Sequence, residues 1–139
     1  MQASLESTRS VDHPVYRSWL WVTLPLTLLV AFAALVGIVA PAPYWRDTAY
    51  LAAQGVGQDW VTLIVALPAL VVGAWMAARG SVAGRLVWLG TLIYLAYTYT
   101  VYSVSVNFNQ LFLVYVAIFG LSVWGLGGGL LTTDHQAVQ

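Results

Sequence analysis

Four long apolar runs constrain this chain more than anything else in it. They lie near Trp19 to Ala40, Trp60 to Ala78, Val82 to Val106 and Gln110 to Leu131. Each is long enough to cross a hydrocarbon core of about 30 Å, which takes roughly 20 helical residues. The runs predict an all-α integral membrane four-helix bundle, one membrane domain over residues 1–139 with residues 1–18 and 132–139 as tails. Composition agrees. Hydrophobic residues make up 60% of the chain and charged residues 7%, far from the roughly 25% charged content of soluble domains. Mean hydropathy is +0.81.

Side chains able to accept from orphan helical N–H groups precede three of the runs: Asp59, Ser81 and Asn109. The first loop carries its own signal. Asp47 can cap a short helix through Thr48 to Gln54, with Gly55 in the helix-ending position, so a short interfacial helix is expected there, and Gly55 and Gly57 are expected to leave the chain flexible before the second span. Pro68, near the middle of the second run, removes a backbone hydrogen bond and crowds the Ile64 carbonyl, which predicts a kink.

Arginine and lysine accumulate in short cytoplasmic loops. Arg9 and Arg17 flank the first run and Arg79 and Arg85 surround the second turn, whereas Arg46 alone lies in the first loop, so both termini are expected in the cytoplasm. Tryptophans at headgroup depth fit this frame, with Trp19, Trp21, Trp75, Trp88 and Trp124 toward the inner face and Trp45 and Trp60 toward the outer. The expected location is the cell membrane, as a multi-pass protein of the bacterial inner membrane. Ala40, Pro41 and Ala42 have the small-residue spacing of a signal-peptide cleavage site. A spanning helix is preferred, because the run exceeds the usual core of about 7–15 residues and Pro43 would hinder cleavage.

Small residues at four-residue spacing let membrane helices approach closely. Ala33 and Gly37 do this on the first run, Ala69, Gly73 and Ala77 on the second, and Ser122, Gly125 and Gly129 on the fourth. These are the predicted contact faces, within the chain or between chains.

Several function classes are excluded. Net charge is zero and the five basic residues, all Arg, form no run, so neither a nucleic-acid footprint nor a polybasic lipid patch is present. The chain has no cysteine, which removes thiol redox chemistry and cysteine metal sites. His13 and His135 sit in the tails, so no span offers an imidazole for haem. No metal or cofactor is expected.

One feature is out of place. The stretch YLAYTYTVYS, Tyr94 to Ser103, carries four tyrosines and two threonines inside a membrane run. At about 100° per residue, Thr91, Tyr94, Tyr97, Thr98, Tyr102 and Ser105 share about one third of the helix circumference, while Tyr99 and Thr100 lie off it. A hydroxyl facing lipid without a partner costs on the order of 1–3 kcal/mol, so this stripe is expected to face inward. It serves either as hydrogen-bond glue between helices or as a ligand-lining face, the first being favoured. Gln54, Gln58 and Asp59 enter the second run on the same side as Tyr102, Asn107, Asn109 and Gln110, and these can converge. The candidate ligand-binding set is Tyr94, Tyr97, Thr98, Tyr102, Asp59, Asn107 and Asn109, although Asp59 and Asn109 also read as N-caps and Asn107 as a turn residue.

The elements QGVGQDWVTL, YLAYTYTVYS and FNQLFLVY, spread over roughly residues 54–120, resemble a group of prokaryotic membrane proteins with four or more spans for which no activity is established. The resemblance implies packed helices and nothing about chemistry.

The leading functional expectation is an accessory or scaffold subunit of a membrane complex, given minimal loops and no ionisable residue placed deep in a span. The alternative is a binder or transporter of a small molecule, lipid or quinone-like ligand, working as an oligomer. Catalysis is not expected, because tyrosine hydroxyls and one capping aspartate offer poor acid–base chemistry. Partners are membrane lipids and either further copies of the chain or another membrane protein, with no nucleic acid.

Overall fold

The computed structural model describes residues 18–40, 47–105 and 110–137, with side chains to residue 131. Four helices account for nearly all of it: α1 (Leu20–Val39, opening with one 3₁₀ turn), α2 (Ala49–Ala78), α3 (Val82–Ser105) and α4 (Phe112–Ala137). No strand occurs among the described residues. Three helices, α1, α2 and the Phe112–Leu131 part of α4, are long and apolar enough to cross a membrane. The third predicted run is helical over its described residues, Val82–Ser105, but Arg85 and the hydroxyl residues make α3 more polar than the other three.

The protein carries apolar side chains outward. Val104 is 81% exposed, Val39 79% and Leu113 75%, a distribution suited to lipid and not to water. Within, α1 and α3 each pack between α2 and α4. Leu26, Leu70, Trp88, Leu92, Tyr99 and Ile118 are fully buried along the shared axis.

The first loop differs from expectation. There is no separate interfacial helix. Thr48, not Asp47, is the N-cap, its side chain accepting from Leu51 N, and the helix runs without interruption through Gly55 and Gly57 to Ala78. Neither glycine ends it, because packing against the other helices outweighs the roughly 1 kcal/mol that a glycine costs inside a helix. Asp59 is therefore not a cap but an interior residue of a helix about 45 Å long. Asn107 and Asn109 lie outside the described residues, as do Pro41 to Arg46.

A π-turn occupies Thr62–Ala66, immediately before Leu67 and Pro68. The Leu67 N–H donates to the carbonyl of Thr62, five residues back. Widening the turn at this point relieves the crowding between the Pro68 ring and the Ile64 carbonyl, where an α-helix would be forced to bend or break. After Ala78, Gly80 takes a left-handed conformation at φ 85°, with Gly80 N donating to Ala77 O and Ser81 N to Met76 O, which closes the helix as a Schellman motif. Ser81 Oγ then accepts from Gly84 N at 3.2 Å, the capping role expected of it.

Apart from Ala69, which is partly exposed, the small residues of the predicted faces are spent inside the chain. A Cβ at Gly73 would lie 2.9 Å from the Trp88 backbone nitrogen. One at Gly84 would meet Ala77 N at 2.7 Å and the Met76 carbonyl carbon at 2.8 Å, and one at Gly129 would meet Leu89 and Trp88 side chains at 2.7 and 2.8 Å. Gly125 faces Val22 and Leu92, and Ala33, Gly37, Ala77 and Ser122 are buried. Trp88 corrects another expectation. It is not a headgroup anchor but a fully buried core residue whose Nε1 donates to Thr23 Oγ1 at 2.8 Å. Trp75, by contrast, is half exposed and stacks with Arg79 at 3.8 Å, which suits a membrane boundary.

Candidate functional site

The hydroxyl residues of α3 and α4 divide into two chemical groups. Serine and threonine hydroxyls are short enough to reach the carbonyl four residues back on their own helix. Thr91, Thr100, Ser103 and Ser122 do so, at 2.8, 2.6, 2.7 and 2.7 Å. Their polarity is answered locally, wherever the side chain faces. Tyrosine is too long for that bond, so each buried tyrosine needs a partner from another element.

For Tyr94 and Tyr102 the partners come from the first half of α2. The Tyr94 hydroxyl accepts a short hydrogen bond from Gln58 Nε2 and shares another with Thr62 Oγ1 at 3.2 Å. The Tyr102 hydroxyl donates to Gly55 O at 3.0 Å and lies 3.3 Å from Asp59 Oδ1. Asp59 is 2% exposed and Thr62 1%. Behind Tyr102, the rings of Tyr99, Tyr102 and Tyr115 meet pairwise at centroid distances of 5.6, 5.8 and 5.3 Å with tilted or edge-on planes, the arrangement favoured by aromatic quadrupoles. The Tyr99 hydroxyl is fully buried and has no hydrogen-bond partner among the described residues.

A groove of about 230 Å³ opens beside this nest, between the start of α2 and the end of α3. Asp47, Gln54, Gln58, Tyr97, Thr98 and Tyr102 supply its polar lining, and Leu51 and Val101 its apolar walls. Of the candidate residues, the structure thus brings Tyr97, Thr98 and Tyr102 to one groove and sets Tyr94 and Asp59 directly behind it through Gln58 and Tyr102.

The predicted stripe is rotated relative to the true buried face. Tyr97 is 71% exposed, and Tyr99, assigned to the outside, is fully buried. Trp88, Leu92, Leu95, Tyr99 and Tyr102 are all buried, which centres the inward face of α3 near 120° from Tyr94 on the helical wheel. Thr91, Thr98 and Tyr102 fall inside that face, Tyr94 at its margin and Tyr97 nearly opposite. The error has a physical source: apolar residues face lipid and core alike, so only hydroxyls were available to orient the helix, and threonine and serine carry no such information once they bond their own backbone.

Gln58, Thr62, the Gly55 carbonyl, Tyr99 and Tyr115 complete the site. Gln58 was legible from its position beside Asp59. Thr62 follows from helical spacing once α2 is known to be continuous, because Gly55, Gln58, Asp59 and Thr62 then lie on one face. Tyr115 closes the element FNQLFLVY, but its helical position gave no sign that it would meet Tyr99 and Tyr102. The chain matches no protein-family model, no curated protein and no solved structure, so the site stands on its own residues and geometry.

Proposed function

We propose that this is a multi-pass protein of the cell membrane, a four-helix bundle with both termini cytoplasmic, which binds a small polar molecule in the outer-end groove between α2 and α3. The observation that carries the reading is Asp59. It is a carboxyl group 2% exposed inside the long apolar helix α2, approached by the Tyr102 hydroxyl and backed onto a groove. Ionisable groups inside membrane helices are expensive and cluster at functional sites. Joining helices does not require one, as the glycine contacts at Gly73 and Gly84 illustrate.

Native mass spectrometry of protein gently extracted from its membrane tests the reading. A stoichiometric small adduct that disappears in Tyr97→Leu plus Gln54→Leu supports it, and an adduct indifferent to both changes removes the groove from consideration. The orientation is checked with a single cysteine at Asn107, which an impermeant reagent should label from outside.

A second reading, an accessory subunit held by helix contacts, is favoured by Gly120 and Gly127 of α4. Both are exposed with open space beyond them, unlike the glycines packed within the chain. Protomers that arrive in the spectrometer without an adduct but with another polypeptide would support this reading over the first.

A further inference from the structure

We infer that the π-turn of α2 is a hinge, about which the first half of the helix (Ala49–Val61) swings to widen or narrow the groove against α3. The hydrogen-bond ladder is interrupted there at two successive rungs. An α-helix would pair Leu63 O with the N–H of Leu67 and Ile64 O with that of residue 68. The Leu67 N–H donates to Thr62 O instead, and Pro68 has no N–H to give, so bending here stretches fewer bonds than in an unbroken turn. Ile64 and Pro68 are both exposed, which leaves one side of the turn without a packed neighbour. Single π-turns inside α-helices recur at functional sites.

The two halves of α2 are held in different ways. The second half, Leu67–Ala78, packs along α3 through the backbone approaches at Gly73 and Gly84, and the Gly80 turn ties it to α3 covalently. The first half packs on α1 instead. Tyrosine side chains bridge its wider gap to α3, through the bond of Tyr94 to Gln58 and that of Tyr102 to Gly55 O. Such bonds between membrane helices are individually weak, whereas backbone packed on backbone leaves no room to shift. The groove lies across this divide: Leu51, Gln54 and Gln58 come from the first half of α2, and Tyr97, Thr98 and Val101 from α3. A swing of about 20° over the roughly 24 Å from the turn to Tyr50 moves that end by about 8 Å, enough to turn an open cleft into a closed one. The motion does not depend on what fills the groove.

Pulsed dipolar EPR on the full chain in lipid nanodiscs tests this, since a chain without cysteine can be labelled at chosen sites alone. Three pairs of exposed positions are used: Tyr50→Cys with Val104→Cys across the groove, Val72→Cys with Leu86→Cys across the glycine contact, and Tyr50→Cys with Trp60→Cys within the first half. The expected distance distribution of the first pair is about twice as wide as those of the other two, as an end swing of about 8 Å implies. A first pair no wider than the second means a fixed bend or a rocking of the whole helix, and overturns the inference. A third pair as wide as the first means a fraying helix end, and overturns it too. Restoring the ladder should stop the swing. Deleting Ile64 turns the Leu67 to Thr62 bond into an ordinary α rung with both halves kept in register, and Pro68→Ala returns the donor for Leu63 O. In that double variant the first pair should narrow to the width of the second, and a wide distribution that persists in the folded variant overturns the hinge. Should the variant fail to fold, the three wild-type distributions decide by themselves.

Discussion

The two ends of the α2–α3 pair hold the same helices together by different physics. At the turn, backbone meets backbone: Gly73 lies against Trp88, and Gly84 against Met76 and Ala77. At the other end, Gln58, Asp59 and Thr62 reach across to Tyr94 and Tyr102 through hydrogen bonds, and a groove remains open. Lipid supplies no hydrophobic drive for helix association, so both devices work by contact quality, close van der Waals approach in one case and polar pairing in the other. The difference is in what they leave available. Between α2 and α3 the glycine end is filled, whereas the tyrosine end keeps polar groups and an aromatic wall beside an open groove.

The largest effect should come from breaking the glycine end. Gly84→Leu places new atoms against the backbone of Met76 and Ala77, which cannot give way as a side-chain tip can, and a loss of about 3 kcal/mol or more is expected in a reversible detergent-unfolding titration. Gly90→Ala, on the same helix but facing open space, serves as the control and should change stability by under about 0.5 kcal/mol.

At the polar end the expected loss is smaller. Tyr102→Phe removes the hydroxyl that serves Gly55 O and Asp59 and should cost about 1–2 kcal/mol, most of it from leaving the buried carboxyl with one donor fewer. Tyr94→Phe, whose partners Gln58 and Thr62 are themselves polar, should cost about 0.6 kcal/mol. A Tyr102→Phe loss as large as that of Gly84→Leu would mean that the polar end, not the glycine end, is the main clamp.

Tyr97 marks the lower limit. At 71% exposure, Tyr97→Phe should leave unfolding unchanged within about 0.5 kcal/mol. A loss comparable to that of Tyr102→Phe would restore the inward orientation that the hydroxyl pattern suggested and break the division between a structural nest and an accessible groove.

Much of the architecture could be read without coordinates. The apolar runs became helices, Ser81 caps α3, and the backbone irregularity falls just before Pro68, because length, capping chemistry and a missing N–H act locally. The small residues at Gly73, Gly125 and Gly129 were correctly marked as contact faces, since closeness depends on side-chain size alone. Their destination was not legible: the same spacing serves contacts within a chain or between chains. The first loop was misread because Gly55 and Gly57 obey local rules that favour a helix end, and only packing of α2 against α1 and α3 carries the helix through them.

The sequence by itself therefore determined a helical, lipid-compatible chain with a concentration of tyrosines near one end of α3, and it singled out Asp59, Gln58 and Tyr102 as groups able to meet. Tertiary structure alone decided that Tyr99 turns inward and Tyr97 outward, that Tyr115 joins from α4, and that Asp59 is an interior residue of α2. The reason is that a chain surrounded by lipid has no polar outer face to fix the rotation of its helices. That rotation is set by which side chains interlock, and a tyrosine hydroxyl finds its partner only after the neighbouring helix has docked.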